Sequence, residues 1–159
     1  MSETLAQLGK YAEEIGTKVS PLRKNESVIE VSQERLKPFI AHVVNDLYIR
    51  HLMTITGLDL GQNLGIIYHF SKERDTIHVR TSIPKSKPEA VSIIDLVPGA
   101  ILYEMELHDM FGIEFIGNPW KERKLLLPED WPADLPPPLL KTTKADQIRK
   151  RLGLEVAKP

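Results

Sequence analysis

The sequence contains no cysteine. Iron–sulfur clusters are held mainly by thiolates, structural zinc sites usually use them and disulfides require them, so this chain cannot by itself carry a Cys-ligated cluster. Neither sign of charge is in excess. The 21 Lys and Arg stand against 22 Asp and Glu, a net charge of −1, which gives no global pull toward nucleic acid or anionic lipid. No apolar run approaches the roughly 20 residues needed to span a bilayer, because Asp59 and Asp95 interrupt the two most hydrophobic regions. The first residues have no apolar core of the signal-peptide kind. These absences predict a soluble, cytoplasmic chain. There is also no G-x-G-x-x-G after a strand and no G-x-x-x-x-G-K-[ST], so the usual phosphate-binding loops are missing.

What is present is enough apolar material for one core: 159 residues with 42% hydrophobic content fit a single domain. Leu5, Leu8, Ala12 and Ile15 mark one face of a helix that Gly16 can end. Ser20, Pro21 and Asn25 supply loop chemistry. Val28–Val31 reads as a strand, after which Ser32 can cap a helix with the stripe Leu36, Phe39, Ile40, Val43, Val44 and Leu47. Three strands follow over Leu52–Leu60, Gly65–Phe70 and Thr76–Ile83, the last alternating Ile77, Val79, Thr81 and Ile83 with polar residues. Ser71–Asp75 is of hairpin length. Gly57, Gly61 and Gly65 fall at turns and strand ends in this scheme. Helices, then strands, then helices predict an α+β fold, a single domain with an antiparallel or mixed sheet flanked by helices.

After Pro84 and Pro88, Ser92 and Asp95 are spaced to cap a short turn, and Pro98 can open a helix running to Phe111 and stopping at Gly112. Its apolar side chains form two groups: Ile101, Leu102 and Met105, then Tyr103, Leu107, Met110 and Phe111. Such a helix is covered on two sides, once by its own sheet and once by another protein or by more of its own domain. Glu104 pairs with His108 at i, i+4 and Glu106 with Asp109 at i, i+3, and the two pairs lie roughly 150° apart on the wheel. All four therefore cannot converge on one metal or one acid/base centre. Glu104 and His108 alone give at best two ligands of a metal-dependent enzyme. The alternative is that these groups are solvated or paired with Lys121, Arg123 and Lys124.

The stretch from Glu104 to Trp131 resembles the signature region of the 30 kDa subunit family of respiratory complex I and of related membrane-bound energy-converting hydrogenases. Glu104, Glu106, Asp109, Met110, Phe111, Gly112, Ile113, Phe115, Gly117, Pro119, Arg123, Leu126, Leu127, Pro128, Glu129, Asp130 and Trp131 carry the likeness. Two positions depart from it: Met105 stands where the family has arginine, and Asn118 where it has histidine. The likeness covers most of residues 25–131, and the chain divides into a domain over 1–131 of that kind and a Pro-rich tail over 132–159, expected to be extended because a proline-rich segment is poor in backbone donors. The resemblance implies a cofactor-free subunit on the cytoplasmic face of the membrane, peripheral to it. The partners would be a large catalytic subunit and iron–sulfur subunits that bear the clusters and any nickel–iron site. The residues expected at the partner interface are Glu104, Glu106, Asp109, Phe111, Gly112, Phe115, Gly117, Pro119, Arg123, Pro128, Glu129, Asp130 and Trp131. Two other classes stay open: a free-standing enzyme built on Glu104 and His108, and a soluble adaptor outside any redox complex.

Overall fold

Apolar residues three and four apart bury one face of each of the first two helices, as the spacing predicts. The computed structural model describes residues 3–17, 19–120 and 123–154. Helix α1 (Glu3–Glu14) buries Leu5, Leu8 and Ala12, and the Arg35 guanidinium donates to the Ile15 carbonyl just beyond it. Helix α2 (Gln33–Asn45) buries Leu36, Phe39, Ile40, Val43 and Val44. Ser32 occupies its N-cap position but makes no side-chain bond to the helix backbone. Its hydroxyl bonds the Glu34 carboxylate instead, which lowers that group's pKa.

The sheet has five strands: β1 (Val19–Arg23), β2 (Glu26–Glu30), β3 (His51–Asp59), β4 (Asn63–Lys72) and β5 (Asp75–Pro84). Their order is β1-β2-β5-β4-β3, antiparallel throughout except that β2 and β5 run parallel. The fold is thus α+β with a mixed sheet. Ser20 and Pro21, expected in a loop, lie in β1. Proline is tolerated there because β1 is an edge strand, where a missing N–H donor costs no ladder bond. Strict alternation sorts β4 and β5 into two faces. Leu64, Ile66, Tyr68 and Phe70 meet Ile77, Val79 and Ile83 in the core, while Ile67, His69, His78 and Arg80 on the opposite face are only half-buried.

A second, parallel pair joins β6 (Glu89–Val91) to β7 (Glu114–Ile116), with α3 (Ala100–Phe111) as the crossover between them. Strands of three residues leave no readable period, which is why the sequence pattern misses both. Helix α3 packs on β3, where the Tyr103 hydroxyl donates to the Met53 carbonyl at 2.9 Å and the Phe111 ring closes over Gly57. A Cβ built on Gly57 would lie 2.5 Å from the Phe111 ring, so this glycine sits inside a strand to admit an aromatic ring and does not mark a strand end. Ser92, expected as a turn cap, turns inward to Glu104.

The proline-rich segment is not extended. It folds into successive turns, with Leu135 N–H bonded to Pro132 and Leu140 N–H to Pro137, and returns to the domain where Leu139 N–H meets the Met110 carbonyl at 3.0 Å. Pro137 lies over Gly112, where a Cβ would be 2.9 Å from its ring. Proline fixes φ near the value that turns require, so the residue type that favours extension also favours these reversals. A short helix, α4 (Ala145–Arg151), follows; residues 155–159 of the predicted tail lie outside the described residues. Among the described residues, no helix is long and apolar enough to cross a membrane.

Candidate functional site: a helix that holds its own loops

Helix α3 carries two of its three carboxylates, Glu104 and Asp109, inward. Glu104 is fully buried, at 0% exposure. Its Oε2 accepts from Ser92 Oγ at 2.8 Å and Asn118 Nδ2 at 3.0 Å, and its Oε1 accepts from the Ile93 N–H at 2.9 Å. One side chain thereby joins the segment after β6 to the segment after β7. Burial raises the Glu104 pKa, and the three donors oppose the rise. The expectation of a solvated or cation-paired group is overturned here, because all three partners are neutral. Beside it, the fully buried Tyr68 hydroxyl has no hydrogen-bond partner among the described residues, and burial followed by the Glu104 charge drives its pKa up.

Asp109 works on a different loop. Its Oδ2 accepts the N–H groups of Leu125, Leu126 and Leu127 at 2.8, 2.8 and 3.1 Å. Lys124 Nζ stands 4.0 Å from Oδ1. Three successive amides on one oxygen are a nest, an arrangement that suits an anion because every donor points at the charge. Arg123 lies over the Trp120 ring at 5.6 Å and not against a helix carboxylate. Lys121 lies outside the described residues.

Glu106 stays exposed on the outer side of α3. His108 Nδ1–H donates to the Ile113 carbonyl at 3.1 Å, so His108 braces the helix end while Glu104 is bound elsewhere. The two do not open onto a shared point. Among the described residues no three His, Cys, Asp or Glu side chains could hold a metal. The remaining predicted interface residues divide by burial. Phe115 is buried, Phe111 and Trp131 are half-buried, and Gly117, Pro119, Arg123, Pro128, Glu129 and Asp130 are exposed. Gly112, at φ 72, ends α3 in the left-handed region. Glu104, Asp109 and Phe115 therefore shape this region from within instead of facing outward.

Two features escape the sequence pattern. Asp59 is a hub: its carboxylate accepts Lys85 Nζ at 2.6 Å, Lys141 N–H at 2.8 Å and Gly61 N–H at 2.9 Å. The Lys85 bond, with both amides, lowers its pKa to about 2. The only forewarning is the local Asp-x-Gly turn spelled by Asp59 and Gly61. The second is a patch of exposed leucines, Leu102 at 50%, Leu125 at 39%, Leu126 at 56% and Leu139 at 55%. Leu102, Glu106 and Asp109 share one face of α3 by their spacing, and the Asp109 nest draws Leu125 and Leu126 onto that face. A groove of about 550 Å³ opens elsewhere, on the outer sheet face between Glu30, Leu58, Ile67 and Arg80.

These residues make a packing framework: carboxylates on one helix fix the loops on either side. Residues 29–148 match the family described as the respiratory-chain NADH dehydrogenase 30 kDa subunit, and the chain belongs to that family. It is 34% identical over 108 residues, 65% of its own length, to the C/D subunit of NADH-quinone oxidoreductase from Phocaeicola vulgatus, of which the match covers 20%. It is 36% identical over 108 residues, 62% of its length, to formate hydrogenlyase subunit 5 of Escherichia coli, of which the match covers 19%. The chain thus spans about a fifth of the length of these curated relatives. Its fold superposes with a TM-score of 0.80 on a chain of the membrane-bound sulfane sulfur reductase, an archaeal respiratory membrane complex, at 20% identity, covering 99% of this chain and 94% of that one.

Proposed function

We propose that the chain is a cofactor-free scaffold subunit of a membrane-bound, ion-translocating oxidoreductase of the complex I or energy-converting hydrogenase type. It binds the large catalytic subunit and positions neighbouring iron–sulfur subunits, which carry the clusters and any nickel–iron site. It sits on the cytoplasmic face of the membrane, held there by the complex. The observation that carries this reading is the leucine patch around Glu106 on a helix whose other carboxylates are committed inward. Exposed Leu102 on the helix, with exposed Leu125 and Leu126 on the loop that Asp109 pins to it, favours a protein partner. Two relatives contain the matching stretch as a fifth of a much longer chain. A domain that occurs covalently joined to a longer chain is suited to binding such a chain when the two are separate.

The expected test uses Leu102→Asp and Leu126→Asp. Both side chains are at least half exposed, so each change should alter stability by no more than about 0.5 kcal/mol. A tagged wild-type chain should co-sediment with an assembled membrane complex, and the Asp variants should remain folded but unassembled. Assembly of both variants at wild-type levels would remove this surface from the docking role.

A further inference from the structure

The outer face of the sheet carries a cluster that the scaffold reading does not use. His69 on β4 and His78 on β5 are direct cross-strand partners. Both lie on the face opposite Tyr68, Phe70, Ile77 and Val79, and both are half-buried. Their Nδ1 atoms stand 2.7 Å apart, with the rings edge-on at 75° and centroids 4.9 Å apart. His69 Nε2 is 2.9 Å from the Thr56 hydroxyl on β3. When that nitrogen donates to Thr56 Oγ, His69 presents an unprotonated Nδ1 to its neighbour, and the contact is made by one proton from His78.

We propose that His69 and His78 form a two-imidazole chelating site for a divalent transition cation of the copper–nickel type. The spacing already brings both nitrogens close to the separation a chelated ion requires. Two imidazole nitrogens bound cis at right angles, each about 2.0–2.1 Å from the ion, lie about 2.9 Å apart, whereas tetrahedral ligands lie about 3.3 Å apart. The observed 2.7 Å is within about 0.2 Å of the first and about 0.6 Å short of the second, so the tetragonal ion requires the smaller ring movement. Thr56 serves as the outer-sphere partner that fixes the ring and its tautomer. Replacing the shared proton by a cation also satisfies two lone pairs that otherwise compete for one hydrogen. The chain supplies two ligands, and water fills the remaining positions on the open side of the sheet.

The test is titration of the full chain, first stripped with chelator, with copper(II) chloride, read by calorimetry and by electron paramagnetic resonance. One ion per chain with nitrogen hyperfine structure is expected, and nickel(II) should bind more weakly in the order that imidazole ligands impose. His69→Ala and His78→Gln should each weaken binding by more than about tenfold, and Thr56→Val by about tenfold. His42→Ala and His51→Ala should leave it unchanged. Circular dichroism checks that each variant is folded, and these half-exposed positions provide two independent substitutions. Absence of stoichiometric copper in the wild type, or wild-type binding in both the His69 and His78 variants, would overturn the site.

Discussion

Replacing Asp109 by alanine should release the loop over residues 125–127 from α3 while the sheet stays folded. Three amide N–H groups converge on one buried carboxylate oxygen at 2.8, 2.8 and 3.1 Å. Hydrogen bonds to a charged acceptor each contribute about 1.5–3 kcal/mol. The sum is not realised, because Leu125 and Leu126 are exposed and water can take over their amides. Removing the carboxylate also recovers its desolvation cost. The net loss should be about 2–3 kcal/mol, concentrated in the loop. Amide hydrogen exchange reads it directly: at tenfold per 1.4 kcal/mol, Leu125, Leu126 and Leu127 should exchange roughly 30- to 150-fold faster. Asp109→Asn keeps an acceptor oxygen with two lone pairs and should restore part of the protection. Unchanged exchange at these three amides in Asp109→Ala would refute the nest. Equal acceleration throughout β4 would show that Asp109 supports the whole fold and not one loop.

Gly57→Ala should cost about 1–3 kcal/mol in urea unfolding by overpacking, since its Cβ would meet the Phe111 ring at 2.5 Å. The cost should shrink in a Phe111→Leu background, and strict additivity would disprove the contact. Glu104 has a folded pKa above its ordinary 4.5, so the folded state binds its proton more tightly than the unfolded chain does. That contribution is complete below pH 4.5 and disappears as pH rises through the folded value, so thermal stability should fall with pH in the wild type more than in Glu104→Gln. Parallel pH profiles for the two would sink the assignment. Asp59 has the opposite sign. Its pKa of about 2, against an ordinary 3.8, contributes stability above pH 3.8 that is lost as pH falls toward 2. Asp59→Asn should flatten that acid limb and speed tryptic cleavage at Lys141, which wild-type cleavage rates would argue against.

The helices and the long strands were legible because their periods run for ten residues or so. Leu36 to Val44 trace one stripe of α2, and Ile77 to Ile83 alternate across β5. What was lost depended on pairing at a distance. Three-residue β6 and β7 exist because they pair with each other across α3. Ser20 and Pro21 form a strand because β2 offers an edge. Gly57 reads as a breaker until Phe111 is seen above it. In the candidate site, the motif drew attention to α3, but the wheel gave directions without depth. Glu104 and Asp109 both looked available to cations or partners; Glu104 proved committed to an amide and neutral side chains, and Asp109 to three amides with Lys124, one of the expected cations, 4.0 Å away. The departure at Asn118 becomes intelligible only with its 3.0 Å bond to Glu104. A histidine there could offer the carboxylate a cation, whereas the amide offers a neutral donor.

The most direct test of the scaffold role is purification of the tagged chain from gently solubilised membranes of its native cell, with mass spectrometry and metal analysis of what accompanies it. Co-purification in fixed ratio with a large catalytic subunit and iron–sulfur subunits is expected, with the iron residing on those partners. Recovery of the chain alone, or only with proteins that carry no redox centre, would contradict it.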